Sequence, residues 1–255
     1  MSTKRINGSL YTKIENNIAW IEFGHPASNS FVSELLARLA SEFDKISQNK
    51  EVSVIVLRSE GERAFCAGAS FDELVAISNL AEGKAFFAGF ANVINAMRKC
   101  NQPIFGRVQG KTVGGGVGLA SACDYVYATE AASIKLSEIS IGIAPMVIAP
   151  AVERKIGKSG LAELSYAPTE WKNAYWAKEK GLYAKVFDSI AEMDKELGFH
   201  AQKMATYNTE SLAEMKRVLW EGTSHWDQLL MERAEASGKL ALSPNTKAAL
   251  EKFKK

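Results

Sequence analysis

Cysteine is scarce here and its spacing is unhelpful for cross-linking. The 255-residue chain has only Cys66, Cys100 and Cys123, with no Cys-x-x-Cys pair. An odd, scattered set argues against a disulfide framework and for a reducing compartment. Histidine is equally rare. His25, His200 and His225 stand far apart and none has ligand spacing, so no metal site is expected. An excess of one charge is missing too. Lys and Arg number 31 against 29 Asp and Glu, a formal charge of +2. That predicts neither a nucleic-acid surface nor a membrane-adsorbing patch. No apolar run approaches the length of a membrane span. Met1 to Arg5 lead straight to a strand-like segment without a signal core or an Arg-rich transit pattern. The expectation is a cytoplasmic protein of ordinary globular composition, 47% apolar and 24% charged.

The apolar pattern predicts an α/β architecture. Ile18 to Phe23 reads as a strand closed by Gly24-His25-Pro26. Asn29 and Ser30 are placed to cap a helix whose stripe is Phe31, Leu35, Leu39, Phe43 and Ile46. Val52 to Leu57 and Ile104 to Val108 are nearly unbroken apolar runs, the signature of strands covered on both faces. Between them, residues 71–100 read as largely helical, with Phe86, Phe90, Val93 and Met97 on one side. A short helix through Ala122 follows, then strands over Asp124 to Ala128 and Ile134 to Leu136. Beyond about residue 190 helical periodicity takes over, with helices predicted over Ala201 to Tyr207, Leu212 to Leu219 and Trp226 to Leu240. The division expected is a core over 1–190 and a helical region over 191–255.

Two glycine-rich turns carry the chemistry. Ala64-Phe65-Cys66-Ala67-Gly68-Ala69-Ser70 and Gly114-Gly115-Gly116-Val117-Gly118 each follow a β-branched run and precede a helix. Turns of this kind leave backbone N–H groups unpaired and admit another backbone, or a ligand oxygen, at close range. Two of them meeting in space would aim two donors at one oxygen, as an oxyanion hole does.

Other motifs fail on spacing. Gly106 to Thr112 imitates a phosphate-binding loop but needs a glycine where Phe105 stands. Counting from Gly114 puts Leu119 where a dinucleotide fingerprint needs its third glycine. No Gly-x-Ser-x-Gly elbow occurs. Ser224, His225 and Asp227 are sequence neighbours on a helix-like stretch and do not face one another as a triad would. Cys66 has no basic neighbour to activate it and is expected to be a packing residue.

The surviving motifs resemble, in order, the signatures of the crotonase (enoyl-CoA hydratase/isomerase) superfamily. Val54 to Leu57 with Arg63 to Ser70 looks like the first, Gly110 to Ala120 with Cys123-Asp124 like the second, and Ile134 to Pro145 like the third. Ala177 to Leu182 is similar to a later helix-turn element, and the likeness fades in the tail. The resemblance implies a spiral of β-β-α turns with a helical C-terminal trimerisation region, giving homotrimers or homohexamers. By position it implies Ala69 and Gly115 as backbone donors to an acyl-CoA thioester oxygen, and Glu138 as the acid/base. It implies acyl-CoA contacts from Ala67, Gly68, Ser70, Phe71 and Asp72, with Gly114 and Gly118 beside them. Coenzyme A enters as part of the substrate, with no separate cofactor. Lys252 and Lys255 are candidate phosphate partners.

Three departures stand out. Gly118 occupies the place of a second glutamate found in many hydratases of the family, and Ser70 replaces the usual aspartate. Met146-Val147-Ile148-Ala149-Pro150 replaces a glycine-rich run. One carboxylate suits an isomerase, which only moves a proton between carbons. The combined motifs look most like the methylglutaconyl-CoA-hydratase-type branch, whose bacterial members tolerate that glycine. The expected activity is therefore hydration of a short or branched 2-enoyl-CoA. A Δ3,Δ2-enoyl-CoA isomerase and a silent acyl-CoA-binding protein are the alternatives.

Overall fold

The computed structural model describes residues 7–252. Its two sheets grow from a repeated unit in which one strand joins the large sheet, the next joins a small sheet, and a helix returns the chain. Strands β3 (Val54–Ser59) and β4 (Ala64–Cys66) precede helices α2 (Phe71–Ala76) and α3 (Leu80–Lys99). Strands β5 (Ile104–Val108) and β6 (Lys111–Val113) precede α4 (Gly115–Ala122). Strands β7 (Tyr125–Thr129) and β8 (Ser133–Lys135) precede a 3-10 turn, Glu138–Ile141, and α5 (Ala149–Tyr166). The first strands of the three units lie parallel in a six-stranded sheet of order β1 (Ser9–Glu15), β2 (Ile18–Gly24), β3, β5, β7, β10 (Lys185–Phe187), and the second strands lie parallel in a four-stranded sheet of order β4, β6, β8, β9 (Lys172–Asn173). This is the spiral that the resemblance implied. Strands β1 (Ser9–Glu15) and β2 (Ile18–Gly24) form an antiparallel hairpin at its start.

The apolar runs read as buried strands are buried. All five residues of β5 are buried, and β3 is open only at Arg58. Helix α1 (Ser33–Ser47) turns Leu35, Leu39, Phe43 and Ile46 inward, and α3 buries Phe86, Phe90, Val93 and Met97, as their spacing predicts. All of these but Phe86 fill the main core against one face of the large sheet, and Phe86 joins a smaller cluster with Leu74, Ile77 and Ile143. On the opposite face, α7 (Ile190–Met204) lays Met193, Leu197 and Ala201 over Ile18, Val54, Val56 and Phe105. Arg107 of β5 reaches Asp194 of α7 with two hydrogen bonds, 2.7 and 2.9 Å. Helices α8 (Thr209–Leu219), α9 (Trp226–Ala241) and α10 (Pro244–Lys252) complete the chain, α9 running along α3. No helix among the described residues is long and apolar enough to cross a membrane.

Several expectations need correction. Asn29 and Ser30 do not cap α1: the N-cap residue is Val32, with no side-chain cap bond. Asn29 adopts φ +57° and is drawn inward, accepting the His25 N–H and donating to the carbonyls of Glu60 and Ala64. Phe31 is likewise outside the helix, paired with Ala69. Ala201 to Tyr207 is not a separate helix. It is the last turn of α7 followed by a hydrogen-bonded turn, Tyr207 N–H donating to Met204. Helix α5 was not anticipated. It is kinked at Gly157 (φ +70°), which interrupts its periodicity. Strands β9 (Lys172–Asn173) and β10 (Lys185–Phe187), flanking α6 (Ala174–Glu179), are too short to leave a period-two pattern.

Candidate active site

The first glycine turn is shaped by the segment before α1. Phe31 N–H donates to the Gly68 carbonyl (2.8 Å), Ser70 N–H to the Phe31 carbonyl (2.7 Å) and Ala67 N–H to the Ser28 carbonyl (3.1 Å). The groups on either side of Ala69 N–H are thus engaged, while Ala69 N–H itself has no partner among the described residues. Gly68 holds φ +93°, a conformation that side chains resist.

The second turn is pinned from the other side. Gly114 N–H donates to the Lys135 carbonyl of β8 (2.9 Å), and φ +52° at Gly114 swings the chain into α4. Gly115 is the first residue of that helix, so its N–H has no intrahelical acceptor. A Cβ on Gly68 would lie 3.2 Å from the Val113 oxygen and 3.8 Å from the Gly115 nitrogen, so the two turns touch. A Cβ on Gly115 would come within 3.0 Å of Phe90 Cδ1, and one on Gly116 within 2.7 Å of Cys66 Cβ. Close packing and a free donor therefore coexist at this helix start.

Glu138 opens the 3-10 turn after β8 and leans over the second turn. Its Oε1 is 2.7 Å from where a Gly114 Cβ would sit. Its Oε2 is buried and unpartnered. Burial pushes this carboxyl up to about 7, offset in part by its own backbone N–H. An acid poised there populates both protonation states near neutrality, which suits a proton shuttle.

These groups line one cavity of about 480 Å³, within the size range of small-molecule sites. Ala67, Gly68, Ala69, Phe71, Gly114, Gly115 and Glu138 all contribute to its wall. Three candidates do not. Ser70 is buried as the N-cap of α2, accepting the Glu73 N–H. Asp72 is exposed on α2. Gly118 is buried in α4 beneath Ile148, whose Cβ would stand 2.6 Å from a Cβ added there. Lys252, at the end of α10, is not among the lining residues, and Lys255 lies outside the described residues. The reading of Cys66 as a packing residue agrees with its full burial, which raises its thiol to about 12. Asp227 is engaged by Arg98 (2.8 Å) and Lys99 (2.7 Å), and no triad forms around His225. Ile148 and Ser237 also belong to the wall and were not anticipated, since each arrives there through a contact distant in sequence.

The architecture is that of the crotonase-like enzymes. The crystal structure of enoyl-CoA hydratase from Bacillus halodurans superposes with a TM-score of 0.88 at 18% identity, covering 95% of this chain and 99% of that one. At sequence level, the model of the enoyl-CoA hydratase/isomerase family matches residues 13–251, and the chain belongs to that family. YngF of Bacillus subtilis, provisionally named an enoyl-CoA hydratase/isomerase, is 32% identical over 181 residues, 69% of this chain and 68% of YngF. Human mitochondrial methylglutaconyl-CoA hydratase is 31% identical over 167 residues, 65% of this chain and 49% of its own length.

Proposed function

We propose that this enzyme hydrates a short, branched or acidic 2-enoyl-CoA, with 3-methylglutaconyl-CoA as the leading candidate. One observation carries the reading: two glycine turns with free N–H groups and the carboxyl of Glu138 line a single cavity. The thioester oxygen accepts from Ala69 and Gly115, which draws electron density from the double bond and leaves C3 electrophilic. As a water oxygen bonds to C3, Glu138 takes a proton from that water, and the π electrons move into the enolate. Glu138 then returns a proton to C2, so the carboxyl ends as it began. Donors aimed at the enolate oxygen stabilise it more than the ground-state carbonyl, each contributing about 3 kcal/mol. The test is loss of the enoyl-thioester ultraviolet band when purified protein meets crotonyl-CoA or 3-methylglutaconyl-CoA. A band that stays constant with both sinks the reading.

A second reading, Δ3,Δ2-enoyl-CoA isomerisation, is favoured by one feature. Ile148 fills the space over Gly118, and among the described residues that line the cavity Glu138 is the one carboxylate, with no second to hold water. Gain of the same band from a 3-enoyl-CoA, without hydration, would support it. The packing also makes a prediction. Gly118→Glu alone overpacks the site and destabilises the protein by about 1–3 kcal/mol in urea unfolding. Adding Ile148→Ala relieves that loss and raises hydration above the level of Ile148→Ala alone. A Gly118→Glu protein as stable as the parent would show that the Ile148 contact yields freely.

A trimeric or hexameric assembly belongs to the same proposal. Phe199, Tyr207, Met215, Val218 and Leu219 are exposed on α7, α8 and the turn between them, an apolar surface suited to a subunit contact. Light scattering at a monomer mass would remove this part.

A further inference from the structure

Among the described residues that line the cavity, two carry a buried side-chain polar atom without a hydrogen-bond partner: Glu138, at Oε2, and Ser237, at Oγ. The first belongs to the acid/base. The second has no role in the steps above. Ser237 is 0% exposed on α9. A helical serine can return its hydroxyl to a carbonyl one turn back, and this one does not.

Its place in the fold indicates what it could meet. The next residue, Gly238, crosses Gly83 of α3 so closely that a Cβ on Gly83 would lie 2.9 Å from Gly238 Cα. From Gly83, α3 runs seven residues, about 10 Å, to Phe90, whose ring lies against Gly115. Ser237 therefore stands toward the opposite end of the cavity from the thioester turns. One turn further on, Ala241 packs with Phe86 and Ile143, which also line the cavity. One turn earlier, Arg233 donates to the Met146 carbonyl at 3.2 Å and pairs with no carboxylate among the described residues.

We propose that Ser237 recognises a hydrogen-bond-accepting oxygen at the far end of the acyl chain. The preferred thioester would then carry a distal hydroxyl or carboxylate in place of a plain alkyl end. This rests on the acyl-thioester reading of the cavity. A plain alkyl end leaves the buried hydroxyl without a partner, whereas an oxygen satisfies it. Sites built around such a hydroxyl discriminate by more than a methylene does.

Saturated thioesters test this without turnover. Pentanoyl-CoA, 5-hydroxypentanoyl-CoA and glutaryl-CoA are titrated calorimetrically into the parent protein and into Ser237→Ala, a change that removes one oxygen and leaves the packing in place. The parent should bind the two oxygen-bearing thioesters about tenfold more tightly than pentanoyl-CoA, and Ser237→Ala should erase that preference, binding pentanoyl-CoA at least as tightly as the parent does. A parent that favours pentanoyl-CoA, or a variant that keeps the preference, overturns the role of Ser237 and leaves the acyl-CoA reading intact. Failure of all three thioesters to bind would overturn both.

Discussion

Glu138→Gln lowers kcat for enoyl-CoA turnover by about 10²–10⁴-fold, the usual contribution of a positioned acid/base, and leaves KM close to the parent value. The substitution keeps size and shape in a wall where Oε2 is buried and unpartnered, so packing around the second glycine turn is preserved. In the proposed mechanism the thioester oxygen still finds Ala69 and Gly115, so binding should survive while proton transfer does not. Parent-like turnover in the variant would remove the assigned acid/base and reopen the reading of a silent acyl-CoA-binding protein. Two further readouts follow from the carboxyl lying at about 7, raised by burial. In the parent, kcat/KM breaks near that pH, and the break vanishes in the variant. Stability moves with opposite sign to activity. The folded protein holds this proton more tightly than the unfolded chain, so the contribution of Glu138 is most favourable below its unfolded pKa and is lost as pH rises through about 7. Glu138→Gln should therefore be more stable than the parent at pH 8, by on the order of 2–3 kcal/mol, and nearly equal to it at pH 4. An increase in stability joined to a loss of turnover is the mark of a carboxylate held against its own solvation for function.

What could be read from the sequence about this site depended on how local its causes are. Gly68 and Gly114 were legible because their conformations come from the residue itself: φ +93° at Gly68, and φ +52° joined to ψ −119° at Gly114, are backbone states that side chains resist whatever surrounds them. The stripes of α1 and α3 were legible for a similar reason, since a 3.6-residue period needs no knowledge of what the helix packs on. Glu138 was different. Nothing in its spacing separates it from a surface glutamate, and only the likeness of its motif singled it out. Asn29 was misread because its side chain could serve a local cap or distant carbonyls, and the carbonyls of Glu60 and Ala64 won. Ile148 meets Gly118 across thirty residues and Ser237 reaches the cavity from α9, more than a hundred residues beyond the second glycine turn. Such meetings are products of the spiral and leave no mark in either segment taken alone.

A buried ion pair carries the largest stability effect, and it too joins distant segments. Removing one partner of the pair between Asp124 and Lys216 destabilises the protein by about 3–5 kcal/mol. Lys216 is the buried residue of α8, and its Nζ lies 3.0 Å from Asp124 Oδ2, with side-chain exposures of 3% and 6%. The carboxylate is otherwise satisfied by Ile104 N–H (2.8 Å) and Trp220 Nε1–H (2.7 Å), and the ammonium by the Gln102 carbonyl (2.8 Å). Arg154 closes the cluster, stacked 3.8 Å from the Trp220 ring and donating to the Leu219 carbonyl. Thus polar contacts fasten α8 and its C-terminal tryptophan to the start of β5 and the start of β7, while the Trp220 ring also packs into the main core. Lys216→Met keeps the apolar stem but leaves the Asp124 charge buried without its cation, and Asp124→Asn does the converse. Each should lower the urea midpoint strongly. The double variant should lose clearly less than the sum of the singles, because neither member of this pair is then left buried without the other. Hydrogen exchange adds a spatial readout: protection should fall first over residues 209–219, where the polar anchor is lost, and last over β3 and β5. Additive losses in the double variant would mean that packing of α8 holds it, with the ion pair contributing little. Uniform loss of protection would mean that α8 and the sheet unfold as one unit.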